Sequence, residues 1–276
     1  MRGVSGRVWI GTSGWRYRNW RGEFYPDGLP QRRELEYLSR RLGSVEINGS
    51  FYSLQKPEFY RRWHDETPPE FLFAVKGGRF VTHMKRLRDV GVPLANFFAS
   101  GVLALGDKLG PVLWQLPPTV PYDQDLLADF FDLLPRDTAA AAVLAAAHDE
   151  RLTGRALTEA PVERPVRHAL EVRHPSFVDP TLPGFLRGHG IGLVTASAAR
   201  DWPYLEDVTA DFVYVRLHGE TELYASGYTD EELDRWAARI DGWTAAGFDV
   251  HAYFDNDMKV RAPFDAMGLL ERLGVR

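Results

Sequence analysis

The sequence predicts an α/β fold of the (β/α)8 type: a TIM-type barrel of parallel strands with an active-site mouth at the C-terminal strand ends. Three observations predict it. About eight short apolar runs alternate with amphipathic segments along 276 residues, a length that one α/β barrel commonly fills. The runs are rich in β-branched and aromatic residues, which favours strands over buried helix. Charged and amide side chains recur at the C-terminal ends of several runs, on one parity. An open doubly wound sheet is the alternative arrangement of the same elements.

The first strand is read at "RVWIGT" (7–12). "LPQRRELEYLSRRLG" follows as a helix, with Leu35, Leu38 and Leu42 at helical spacing and Gly43 as its stop. "SVEIN" (44–48) is the second strand, and "KPEFYRRWHDE" a helix with proline near its start, where a first turn tolerates it. "FLFAVK" (71–76) and "PVLWQL" (111–116) are the third and fourth strands. The alanine-rich stretch at about 137–165 breaks the rhythm. Alanine is the best helix former, so this stretch is expected to be a helical excursion without chemistry. The second half supplies "RHALEVR" (167–173), "IGLVTAS" (191–197), "FVYVRLHG" (212–219) and "DVHAYFDN" (249–256). "TDEELDRWAARIDGW" has Thr229 as N-cap and Glu232 three residues on, a capping box, and "PFDAMGLLERLG" closes the chain as a helix. No glycine-rich linker divides the sequence, so a single domain over 1–276 is expected.

Side chains alternate faces along a strand, and in a barrel one parity faces the helices and the other the lumen. With Val45 and Ile47 toward the helices, Glu46 and Asn48 point inward. By the same rule Lys76 is inward at the end of the third strand, Gln115 in the fourth, and Tyr214, Arg216 and His218 in the seventh. In the fifth, Glu171 and Arg173 share one face. The eighth is ambiguous, because Tyr253 and Asp255 take one parity and Phe254 and Asn256 the other. The bland reading of this set is a satisfied structural network, such as Glu46–Lys76 or Glu171–Arg216 ion pairs, since a buried charge needs a partner in either case.

The bulk composition sets bounds. With 45% hydrophobic and 26% charged residues the chain is ordinary for a globular protein. Its net charge of -5 gives no global basic field for nucleic acid or an anionic membrane. Cysteine is absent, which excludes disulfides, thiolate metal sites and cysteine nucleophiles. The N-terminal "MRGVSGRVWIGTSGW" has no apolar signal core, and no stretch approaches the roughly 18 apolar residues of a membrane span. A cytoplasmic protein with no membrane partner is therefore expected.

Several blocks together carry a resemblance: "IGTSGWRYRNWRGEFYP" (10–26), "VEINGSFY" (45–52), "FAVKGGRFVTHMKRL" (73–87), "QLPP" (115–118), "EVRHPSF" (171–177), "VYVRLHG" (213–219) and "AYFDND" (252–257). In this order, from about residue 8 onward, the chain resembles the YecE-like family, domain of unknown function 72. The resemblance implies a TIM-type barrel. It implies no activity, because the family is named for lacking one. Two positions depart from the family pattern: Ser50 stands where threonine is expected, and Asp255 where the first of two asparagines is expected.

The residues suggest acid/base chemistry on a small anionic substrate. Lys76, Arg173 and Arg216, with Lys85 nearby on a loop, are suited to hold a phosphate or carboxylate. Glu46, Glu171 and His218 are the candidate catalytic acid and base groups. Asn48, His83, Gln115, Tyr224, Tyr228, Asn256 and Trp15 complete the candidate binding set, the aromatics offering a face to a planar or apolar ligand part. No cofactor is expected. Two alternatives stand: a metal-dependent phosphoesterase or nuclease, and a barrel that binds a ligand or nucleic acid without turning it over. No spaced metal motif such as HExxH is present, and the strand-end cations would repel a metal, so none is assigned. "THMKRLRD" (82–89) is basic, but a solvated surface accounts for it, and nucleic acid is disfavoured. The sequence does not define an oligomeric state.

Overall fold

β-branched and aromatic runs form eight strands in the computed structural model, which describes residues 5–199 and 201–275. They are β1 (Val8–Ser13), β2 (Ser44–Ile47), β3 (Leu72–Lys76), β4 (Leu109–Gln115), β5 (His168–Glu171), β6 (Ile191–Ser197), β7 (Phe212–Leu217) and β8 (Asp249–Phe254). They close as a parallel barrel in the order β1 to β8, so the closed arrangement holds and the open sheet does not. Parallel neighbours need crossovers, and helices supply them: α1 (Glu34–Ser39), α2 (Gly49–Tyr52), α3 (Pro57–Asp65), α4 (Gly91–Ala99), α5 (Gln124–Asp132), α6 (Thr138–Ala145), α7 (Leu182–His189), α8 (Asp230–Ala245) and α9 (Arg261–Leu273). Among the described residues, no helix is long and apolar enough to cross a membrane.

The chain divides into two compact units. One holds the described residues up to Glu46 together with those from Val178 onward, and the other holds Ile47–Phe177. The expectation of one domain over 1–276 includes residues 1–4, 200 and 276, which lie outside the described set.

In the first unit β1 pairs with β2 (Ser13 opposite Glu46) and with β8 (Thr12 opposite Phe254), while β7 lies between β6 and β8. Thr229 caps α8 as read from the sequence, its Oγ1 accepting the Glu232 N–H at 3.2 Å. Asp230, Glu231 and Glu232 occupy that first turn, where the helix dipole favours negative charge. The helix buries Leu233, Trp236, Ala237 and Ile240. After β1 the aromatic-rich segment packs on itself: Trp20 lies 4.8 Å from Tyr17 and 5.6 Å from Phe24, ring centre to ring centre. The helix read across "LPQRRELEYLSRRLG" is realised as a 3-10 turn, Gln31–Arg33, followed by the short α1, whose buried Glu34 is held by Arg21 at 2.7 Å.

In the second unit β4 pairs with β3 (Lys76 opposite Leu113) and β5 (Gln115 opposite Glu171). Trp114, fully buried, packs between Phe97 and Phe130 and donates from its indole N–H to Nδ1 of His168 at 3.1 Å. Nε2 of His168 then carries the proton toward the Pro135 carbonyl, 2.8 Å away, and burial holds this imidazole neutral, its pKa down to about 4. Asp123 and Asp137 cap α5 and α6. The 137–165 stretch contains α6 and a 3-10 turn, Glu150–Leu152. Its two ends are tied together where Thr138 N–H meets the Arg164 carbonyl and Val166 N–H meets the Arg136 carbonyl, both at 2.9 Å.

Candidate active site

The charged residues expected at the strand ends fall into two groups, one in each unit. Three expected strands stop two residues short of the sequence reading, at Glu171, Leu217 and Phe254. Arg173, His218 and Asp255 therefore stand just beyond the ladder, where backbone constraint ends.

The first group is built around Glu46 and Arg216, both fully buried. Arg216 donates from Nε to Glu46 Oε2 at 3.0 Å and from Nη2 to Oε1 at 2.8 Å, a bidentate fork. Ser13 Oγ donates to Oε1 at 2.8 Å and the Tyr214 hydroxyl to Oε2 at 2.7 Å. Each carboxylate oxygen thus accepts two donors. The Tyr214 hydroxyl is pushed well above its ordinary pKa by burial and then by Glu46, so it remains a donor. Arg216 also reaches Asp255 Oδ2 at 2.9 Å, and the same oxygen lies 3.1 Å from His218 Nδ1. His218 Nε2 lies 3.4 Å from Arg216 Nη1. His218 Nδ1 thus faces a carboxylate and Nε2 a guanidinium. Trp202 and Tyr224 meet its ring edge-on, at 5.0 and 5.5 Å. Beyond β8, burial and then the Asp255 carboxylate push Asp257 up to about 6.

Three expected binding residues of this unit have structural partners. Asn256 donates to the Ser226 carbonyl at 2.9 Å and to Asp265 Oδ2 at 2.7 Å, which ties the end of β8 to α9. The Tyr228 hydroxyl accepts the Gly219 N–H at 3.1 Å and meets Ser197 Oγ at 3.2 Å. Trp15 is only 5% exposed, and its carbonyl accepts the Tyr25 hydroxyl at 2.7 Å.

The second group gathers at the ends of β3, β4 and β5. Lys76 is the last residue of β3, with Nζ 4.4 Å from the centre of the Phe51 ring. Ser50 donates to the carbonyls of Lys76, at 2.6 Å, and Ile47, at 2.9 Å. The hydroxyl makes this clamp, the group that serine shares with the threonine expected there. Arg173 donates to one oxygen of the buried Glu171, from Nε at 2.7 Å and Nη2 at 2.6 Å. Gln115 is buried, its amide donating to the Leu116 carbonyl at 2.9 Å. Asn48 presents a buried Oδ1 to which, among the described residues, no donor reaches.

His83 and Lys85 come from a π-helical turn, Phe80–Met84, and the residue that ends it. Such widened turns recur at functional sites. His83 Nδ1 meets Thr82 Oγ1 at 2.9 Å, and its ring meets Phe51 edge-on at 5.0 Å. Its pKa is pushed down to about 4, first by burial, then by Lys76, Arg173 and Arg79, with Glu171 opposing.

The structure thus joins Glu46, Arg216 and His218 in one group, and Lys76, His83, Glu171 and Arg173 in the other. The sequence expected other ion-pair partners: Glu46 is paired with Arg216 and Glu171 with Arg173. It missed Ser13, Asp255 and Arg79. Ser13 lies one residue past the first strand as read from the sequence, and Asp255 lay in the strand of ambiguous parity. Arg79 follows a double glycine, outside any strand pattern. Among the described residues, no three His, Asp or Glu side chains gather into a group able to hold a metal ion.

Comparison with known proteins agrees with the fold. The UPF0759 protein YecE of Escherichia coli (strain K12) is 30% identical over 129 residues, covering 46% of this chain and 44% of that protein. The UPF0759 protein YunF of Bacillus subtilis (strain 168) is 28% identical over 116 residues, 40% of each chain. The chain therefore spans less than half the length of these curated relatives in the matched stretch. Among solved structures, a DUF72 family protein from Thermotoga maritima superposes with a TM-score of 0.78 at 24% identity, covering 97% of this chain and 99% of that one. One from Enterococcus faecalis gives 0.72 at 14% identity, covering 99% and 100%. The model of the family described as "Protein of unknown function DUF72" matches residues 9–276, and the chain belongs to that family.

Proposed function

We propose that this chain is an enzyme for acid/base chemistry on a small substrate bearing a phosphate or carboxylate, and that the anion sits in the cationic group of the Ile47–Phe177 unit. The observation that carries the reading is the convergence of Lys76, Arg173 and Arg79 on the half-buried His83, against one carboxylate, Glu171. A site with excess positive charge in a partly dry environment favours an anion. In this reading Lys76 and Arg173 hold the anion, Glu171 fixes the Arg173 guanidinium, and Asn48 Oδ1 accepts a hydrogen bond from a substrate hydroxyl or amide. His83 is the base. Thr82 engages Nδ1, so Nε2 receives the substrate proton. Without an anion, burial and then the cations hold His83 too acidic for this role. A bound anion offsets the cations' share and raises the imidazole from about 4 toward the range where a base works near neutral pH. Glu46 is a positioning residue that fixes Arg216, and the enclosed His218 supports the same network. This reading gives Glu46, Glu171 and His218 supporting roles in place of the catalytic ones expected from sequence.

Calorimetric titration with inorganic phosphate and with acetate tests this. Lys76→Met and Arg173→Gln are each expected to weaken binding by about 10-fold or more, as loss of a charge-assisted contact should. Near pH 5, titration in two buffers of different ionisation enthalpy is expected to show proton uptake on binding, absent in His83→Gln. Failure of both anions to bind, or binding indifferent to the two cation substitutions, overturns the proposal.

A further inference from the structure

We infer that the substrate's anionic group is carried on an aromatic ring, which lies against Phe51 and Tyr52. This rests on the anion seat proposed above and adds the chemistry of the rest of the molecule. Most aromatics that follow the strands are unavailable to a ligand: Trp15 and Trp20 are buried, and Tyr228 is fixed by its hydroxyl. Tyr52 differs, being 70% exposed, the most exposed aromatic side chain among the described residues. It meets Phe51 edge-on at 5.1 Å, and Phe51 is the ring that carries Lys76 Nζ on its face and His83 on its edge. Beside His83 on the π-helical turn, Met84 is 62% exposed. The open Tyr52 ring is thus one ring removed from Lys76, through Phe51, and the exposed Met84 thioether follows His83 in the chain. Ring faces and thioethers both complement a flat aromatic group, while Lys76 and Arg173 complement a negative charge on the same molecule. An aryl phosphate or aryl carboxylate satisfies both halves; a bare inorganic anion leaves Tyr52 and Met84 in water.

Two matched pairs of probes test the inference: phenyl phosphate against inorganic phosphate, and benzoate against acetate, titrated calorimetrically. The aryl member of at least one pair is expected to bind roughly 10-fold tighter, the gain of one aromatic contact with its buried area. Tyr52→Ala, at an exposed position, is expected to remove most of that advantage and leave the affinity for the inorganic ion unchanged. Equal affinities within both pairs, with binding still lost in Lys76→Met, would overturn the aryl inference and leave the anion seat standing. An advantage that survives both Tyr52→Ala and Met84→Ala would also overturn it. Failure of all four probes to bind the wild-type chain would overturn the seat and the inference together.

Discussion

At the scale of single residues, the two carboxylates chosen from sequence differ in how completely they are used. Glu46 accepts four hydrogen bonds and faces a fully buried arginine. Removing one partner of a buried pair leaves the other charge stranded, and Asp255 relieves Arg216 only in part. Glu46→Gln is therefore expected to destabilise the fold by roughly 3 kcal/mol in urea denaturation. An unchanged or raised stability would instead mark a carboxylate held for function at a cost. His83 gives a pH-dependent counterpart. Its pKa is about 4 in the native protein and 6.5 unperturbed, so the unfolded chain takes up the proton first as pH falls. The stability from keeping this imidazole neutral is complete above pH 6.5 and lost on descending to about 4. His168 behaves alike and is untouched by substitution at 83. Denaturation curves at pH 7 and 4.5 are expected to show a smaller loss in His83→Gln than in the wild type; an equal loss would mean that burial and the cations do not depress His83. Strand alternation made Glu46, Arg216, Glu171 and Arg173 visible in the sequence as inward or shared-face charges. The choice of partner was not visible, because alternation gives the face of a side chain and not which charge on that face its end reaches.

At the scale of elements, the strand ends position the cations, and close packing fixes the strand ends. Gly77 follows Lys76 and donates its N–H to the Leu113 carbonyl at 2.8 Å. A Cβ built there would lie 2.2 Å from Trp114 Cε3. Trp114 has no room to yield, being fully buried among Phe97, Phe130 and His168. Gly77→Ala is thus expected to cost about 1–3 kcal/mol as overpacking and to weaken phosphate binding by displacing the end of β3. A melting temperature and phosphate affinity both equal to wild type would show that this end is not rigid. The strands were legible because parallel barrel strands are short apolar runs, and β6 matches its sequence reading residue for residue. Less legible was the turn after β3. A π-helical turn is a widened helix fixed by its surroundings, and "THMKRLRD" read simply as a basic surface. Exposure within the aromatic segment after β1 was not legible either, because it depends on a tryptophan's neighbours, and here Trp20 is enclosed by Tyr17, Phe24 and Tyr25.

At the scale of the whole molecule, the proposed anion seat must work on a chain that is itself negative. The net charge of -5 is a small difference between 38 acidic and 33 basic residues. Two opposing effects follow. The distributed excess repels an approaching anion, and the local cations attract it. Salt separates them, because screening acts over about 10 Å at 0.1 M ionic strength. Charges spread over 276 residues mostly act from beyond that distance, so moderate salt already suppresses their repulsion. Lys76, Arg173 and Arg79 act on His83 directly. Their attraction for an anion in the same place persists until contact itself is screened. Phosphate affinity is therefore expected to fall steadily as ionic strength rises from about 0.05 to 0.5 M, where the Debye length approaches the contact distances. Arg173→Gln should flatten that dependence as well as lower the affinity. Isothermal titration across a sodium chloride series measures both. An affinity that rises with salt would mean that the distributed negative charge outweighs the cations, and the seat would then have to be sought away from Lys76 and Arg173.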